Sequence, residues 1–240
     1  MKKIHFIILL VLIYHINAIA QNSETNFKKF KTNYLNAVEV HLDSAHNLVN
    51  NYLNTFTEDV ANKKTEKFLA DILFRKGQQK KADSIYQKLL PWFIKNTEYQ
   101  TTLSIYNYRC SVLRKTGKLI EALSLAEEVQ AYIKKNDASL QSHELQISIA
   151  AIHRVTGIIY AIQAETDDTF NQETSLAYFK KTHQILVPLK EYKLEGGALF
   201  NIGNVMPSED STVYYWKEAL KVFDAHVPPS SESHGIVSID

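Results

Sequence analysis

From Asn22 to about His226, apolar residues recur three and four positions apart almost without pause, the spacing that lines them along one side of a helix. In the first stretch Phe27, Phe30, Tyr34, Val38, Leu42, Ala45, Val49, Tyr52 and Phe56 keep this spacing and predict a helix or a helix pair. Beyond it, two segments align directly. Phe68 to Gly77, followed by Ala82 and Tyr86, matches Tyr108 to Gly117, followed by Ala122 and Ala126, at a period of 40 residues.

Such a period describes a helical hairpin. A glycine adopts the left-handed conformation that closes a helix at little cost, so Gly77 and Gly117 are predicted helix ends. The next helix then opens with a small residue, Ala82 or Ala122, that lets the pair pack closely. Each hairpin leaves an apolar face uncovered, so hairpins must stack. The predicted fold is all-α, an α-α superhelix or solenoid of antiparallel helix pairs. Pro91 and Pro188 predict a kink or an end in their helices, and Ser208 or Asp210 is the candidate cap of the last one.

Two further units share a looser pattern. His153-x-x-Thr156-Gly157-x-x-Tyr160 precedes Ser175-x-x-x-Phe179-x-x-Thr182, and Leu199-x-x-Ile202-Gly203-x-x-Met206 precedes Thr212-x-x-x-Trp216-x-x-Ala219. Ala70 and Cys110 hold the small position in the first two units. On these residues the chain resembles the tetratricopeptide repeat (TPR), whose first helix carries an aromatic, Leu-Gly and Tyr, and whose second carries Ala, an aromatic and Ala. The resemblance covers about residues 57–226, or about four repeats, with a possible degenerate repeat in the helix pair at 21–56. Gly157 lies 40 residues after Gly117 but reads as a small mid-helix packing residue rather than a helix end. The polar segment around Glu165 to Thr169 reads as a lengthened turn.

Composition supports a helical fold. Gly and Pro together make up 12 of 240 residues, against a usual share of about 12%, which disfavours many-turned β architectures and Gly-rich nucleotide folds. The start is organised differently: Lys2-Lys3, an apolar run from Ile4 to Tyr14 broken by His5, then Ala18-Ile19-Ala20. These are the three regions of a secretory signal peptide, and the run is shorter than the roughly 20 residues a membrane helix needs. The reading is a signal peptide at 1–20 and an exported protein, periplasmic or secreted, from a Gram-negative bacterium, which meets a membrane only during export. No later apolar run of membrane length is expected. The tail at 227–240, Pro- and Ser-rich, loses all periodicity and is expected to be disordered.

Charge and chemistry narrow the function. Without Lys2 and Lys3 the 27 basic residues become 25, against 26 acidic, so nucleic acid is disfavoured as a partner. The lone Cys110 cannot form a disulfide within the chain and reads as a small core residue. The sequence contains no H-E-x-x-H, G-x-S-x-G, P-loop or G-x-G-x-x-G motif, and no two His stand three or four residues apart as metal ligands on one helical face would. No catalytic residue, metal site or cofactor is expected.

What the TPR resemblance implies is a groove lined by the first helices of successive repeats, which in that family holds peptides. Its candidate partner-binding residues here are Lys64, Lys67, Arg75, Asn107, Arg114, Lys115, Arg154, Asn201 and Asn204, with Asp71, Phe74, Tyr108, Ser111, Val155, Ile158 and Phe200 between them. This wall is basic and amide-rich in a nearly neutral chain, which suits a protein or peptide partner with an acidic segment or terminal carboxylate. Lys67 falls where the first lysine of the family's carboxylate clamp stands, but Asp71 replaces the expected Asn. The expected function is therefore a non-catalytic interaction module. The alternative is the extracytoplasmic input portion of a bacterial signalling protein; an enzyme is the least favoured reading.

Overall fold

The computed structural model describes residues 24–56, 58–167 and 172–227. The expected signal peptide lies outside them, as does the expected tail apart from Val227. Among the described residues there are ten α-helices, one short 3-10 helix and no strand. They are α1 (24–40), α2 (Leu42–Tyr52), α3 (Asp59–Arg75), α4 (Gln79–Lys95), α5 (Tyr99–Lys115), α6 (Leu119–Asn136), α7 (His143–Thr166), α8 (Gln172–Leu189), α9 (Tyr192–Asn204) and α10 (Glu209–His226).

The 40-residue period is a doubled period of 20. Helices begin at Asp59, Gln79, Tyr99 and Leu119, and left-handed residues close the first three at Gly77 (φ 76°), Thr97 (φ 55°) and Gly117 (φ 76°). Each closure has the same two hydrogen bonds. At Gly77 they run from its own N–H to the Phe74 carbonyl (3.0 Å) and from the Gln78 N–H to the Leu73 carbonyl (2.8 Å), and the pattern recurs at Thr97 and Gly117. Such bonds satisfy carbonyls that a helix end otherwise leaves open. Lys190 (φ 57°) closes α8 in the same way. The regular beat ends with α6, which runs into the 3-10 helix Asp137–Ser139, and the following α7 is 24 residues long.

The chain divides into two compact units, one up to Trp92 and one from Phe93. In the first, α1 and α2 are joined by a single extended residue, His41, and fold back on one another, bringing the Phe30 and Tyr52 rings to 4.9 Å and the Phe27 and Phe56 rings to 5.3 Å. Phe68 of α3 completes the aromatic core by stacking on Tyr34 at 4.3 Å. Asn62 pins the α2–α3 turn, accepting from the Phe56 N–H (3.1 Å) and donating to its carbonyl (2.7 Å).

In the second unit, sequence neighbours pack as spatial neighbours, α5 on α6 through α9 on α10, and α5 also lies directly on α7. The joints are close. A Cβ at Gly157 would lie 2.7 Å from Phe179 of α8, one at Gly203 2.6 Å from Trp216 of α10, and one at Gly196 2.5 Å from Phe223 of α10. Four residues before Phe179, Ser175 donates its hydroxyl to the Gly157 carbonyl (2.8 Å); four before Trp216, Thr212 donates to the Gly203 carbonyl (3.1 Å). Gly157 is thus a packing residue inside α7, as its sequence context indicated. Ser208 is the N-cap of α10, accepting from the Ser211 N–H at 3.3 Å.

Four local expectations are corrected. α4 continues through Pro91 to Lys95. Pro91 and Gln87 are both exposed, so the Gln87 carbonyl that loses its helical partner lies on the water side. Glu165 and Thr166, read as the start of a long turn, are the last residues of α7. Finally, α7 is long and apolar enough to cross a membrane, contrary to the sequence reading, yet it packs against α5, α6 and α8 as a core helix. Val227, placed in the tail by its composition, is buried with Leu199, Ala219 and Phe223.

Candidate functional site

The candidate wall residues fall in two units and are described by unit. On α3, Lys64 is half-buried, and Lys67 places its ammonium 2.8 Å from Asp71 Oδ2. Asp71 is only 5% exposed and also accepts from the Tyr86 hydroxyl of α4 at 2.7 Å. Lys67 is therefore part of a closed polar cluster that joins α3 to α4. Arg75 is exposed at the last residue of α3, where a cation meets the negative end of the helix dipole. Also in this unit, a hollow of about 360 Å³ is lined by Asn26, Lys29, Tyr52, Thr55 and Phe56.

On α5, Asn107 and Arg114 are half-buried, and each carries a buried atom without a hydrogen-bond partner, Oδ1 in the first and Nε in the second. Lys115 is exposed at the helix end. On α7, Arg154 is exposed by area, yet protein packed around it is the main cause holding its pKa below the ordinary arginine value, with the Arg114 charge adding to the effect. Exposure combined with crowding is what a recessed wall produces. Arg114 and Arg154 thus belong to successive first helices, α5 and α7, that pack directly on one another, and among the described residues neither is paired with a carboxylate.

On α9, Asn201 is half-buried and Asn204 is exposed, its Oδ1 accepting from Trp216 Nε1 at 3.0 Å. Two residues placed on the wall by sequence face elsewhere. Val155 is buried in the core, and Phe200 stacks on Trp216 of α10 at 5.9 Å. Both lie at the margin of the predicted face, where a rotation of about 40–60° turns a wall residue into an interhelical one. One wall residue was missed: Gly197, four positions before Asn201, whose Cβ position meets no atom within 4 Å. The i, i+4 spacing from Asn201 was the available signal.

The strongly perturbed titratable groups belong to the core. Burial pushes the Cys110 thiol up to about 12 and, with help from Lys181, holds His153 down at about 4, so both are neutral near pH 7. The Tyr106 hydroxyl is also raised by burial and donates to Glu128 at 2.7 Å. Among the described residues no three His, Cys, Asp or Glu side chains are grouped to hold a metal ion.

No protein-family model matches the chain, and no curated protein matches it. Solved structures do. The crystal structure of apo PlcR from Bacillus thuringiensis is similar with a TM-score of 0.69 at 14% identity, covering 93% of this chain and 80% of that one. BtubC (BKLC) from P. vanneervenii gives 0.62 at 16% identity over 86% and 83% of the two chains. A Podosopora anserina putative kinesin light chain with nearly identical TPR-like repeats gives 0.57 at 11% identity over 84% and 94%. The fold is a TPR-like helical solenoid.

Proposed function

We propose that this chain is an exported, non-catalytic protein-interaction module whose first-helix wall in the second unit binds an acidic peptide segment of a protein partner. The observation that carries this reading is that Arg114 and Arg154 stand on the first helices α5 and α7, which pack directly on one another, that the Arg114 charge helps to lower the Arg154 pKa, and that among the described residues neither is paired with a carboxylate. Burial first and the Arg114 charge second disfavour the charged form of Arg154, and an incoming carboxylate offsets both while accepting bidentate hydrogen bonds. Asn107 and Asn201 add amide groups able to bond a peptide main chain. Export is supported by Lys2-Lys3, the apolar run and Ala18-Ile19-Ala20, and predicts a mature chain beginning at Gln21.

The test is affinity capture from an envelope extract with the native protein and with the double variant Arg114→Glu/Arg154→Glu. A partner retained by the native protein and lost from a variant of unchanged helical circular dichroism supports the reading. Equal capture by both sinks it. Amino-terminal sequencing of the exported protein checks the Gln21 start independently.

A further inference from the structure

The hollow of about 360 Å³ in the first unit combines a fixed aromatic side with an unsatisfied charge. Asn26 and Lys29 of α1, Tyr52 at the end of α2, and Thr55 and Phe56 of the following turn line it. The Tyr52 and Phe56 rings stand nearly parallel, 5.8 Å apart at 24°. Phe30 backs the first at 4.9 Å and Phe27 the second at 5.3 Å. The turn is equally fixed. Left-handed Asn54 (φ 60°) reverses the chain after α2, the Thr55 hydroxyl donates to the Tyr52 carbonyl at 2.9 Å, and Asn62 bonds both main-chain groups of Phe56. Sites for small ligands are largely preformed in this way.

Charge selects the occupant. Lys29 is exposed and, among the described residues, its ammonium has no carboxylate or other partner. None of the five lining residues is acidic, and over residues 24–31 Lys28, Lys29 and Lys31 stand against a single acid, Glu24. We infer that the hollow binds a small aromatic carboxylic acid, with its ring against Tyr52 and Phe56 and its carboxylate on the Lys29 ammonium. The volume lies at the small end of ligand pockets, about 300–1,000 Å³, and suits one ring with a short acidic arm. An exposed ion pair alone contributes little, so the ring must supply much of the affinity. This site belongs to the first unit and stands or falls independently of the arginine wall of the second.

The experiment is isothermal titration calorimetry of the full chain with three acids of increasing arm length, benzoate, phenylacetate and 3-phenylpropionate. Acetate, which lacks the ring, and 2-phenylethylamine, which reverses the charge, are the comparison ligands. At least one aromatic acid is expected to bind one to one, and neither comparison ligand is expected to bind. Lys29→Met keeps the apolar stem and removes the charge. With unchanged helical circular dichroism it is expected to weaken the bound acid by roughly tenfold. Lys31→Met removes an exposed lysine of the same helix that does not line the hollow, and is expected to leave the affinity as it is. Equal weakening by both changes would reduce the effect to general attraction by the charge of α1 and overturn the site. Native affinity in Lys29→Met, equal binding of acetate or of the amine, or failure of all three acids to bind overturns it as well.

Discussion

The hairpins of α3 to α6 and those of α7 to α10 use glycine in opposite ways. In the earlier stretch glycines stand at helix ends, Gly77 and Gly117, and the small interior position is Ala70 or Cys110, both fully buried. In the later stretch three glycines, Gly157, Gly196 and Gly203, lie inside helices under aromatic rings, and a left-handed lysine closes α8. The first arrangement depends on backbone conformation, and the second depends on distance between helices. The same fold is reached with different weak points.

The pH response probes the closely packed stretch most strongly. His153 is buried against Tyr178 and held at about 4 by burial and then by Lys181, whereas an unfolded histidine titrates near 6.5. Above pH 6.5 both states are neutral. As pH falls, the unfolded state takes up the proton first, so stability should drop between about pH 6.5 and pH 4, by on the order of 3 kcal/mol. Urea unfolding across that range should show this slope for the native chain and a flatter one for His153→Gln.

Gly196→Ala and Gly157→Ala come next. Each places a methyl group against a ring that must move, at a cost of about 1–3 kcal/mol, or several degrees in melting temperature. Trouble-free acceptance of alanine at both positions would erase the contrast between the two stretches. Gly77→Ala and Gly117→Ala should cost about 1–2 kcal/mol for a different reason, since their Cβ positions meet nothing and only the positive φ opposes the change. The converse holds at Thr97, where a β-branched residue is held at φ 55°. Thr97→Gly should raise the urea midpoint, by about 1 kcal/mol in stability.

Helix spacing, stacking and two helix ends were legible in the sequence because they depend on apolar periodicity and on glycine. The glycine-aromatic joints Gly157–Phe179 and Gly203–Trp216 were legible as a repeated pattern. The ends at Thr97 and Lys190 were hidden, because the surrounding hairpin imposes a conformation that neither residue prefers. The candidate site was read less fully. Periodicity put Lys67, Arg114 and Arg154 on one type of face, but it could not show that Lys67 is engaged by Asp71 while, among the described residues, the two arginines are paired with no carboxylate. Side-chain pairing depends on rotamer and on register between helices, and a single-chain pattern carries neither.

The hydroxyls of Ser175 and Thr212 have a consequence for how such a chain tolerates insertion and deletion. Each donates to the carbonyl of the glycine on which its own helix's aromatic ring rests. A slip of one residue along α8 or α10 would lose the hydrogen bond and unseat the ring together, so these hairpins are keyed like a lock in their sliding direction. Ala82 and Ala122 occupy the corresponding places in the earlier hairpins and have no hydroxyl to act as a key. Single-residue length changes, and exchange of whole hairpins between related chains, should therefore be better tolerated there.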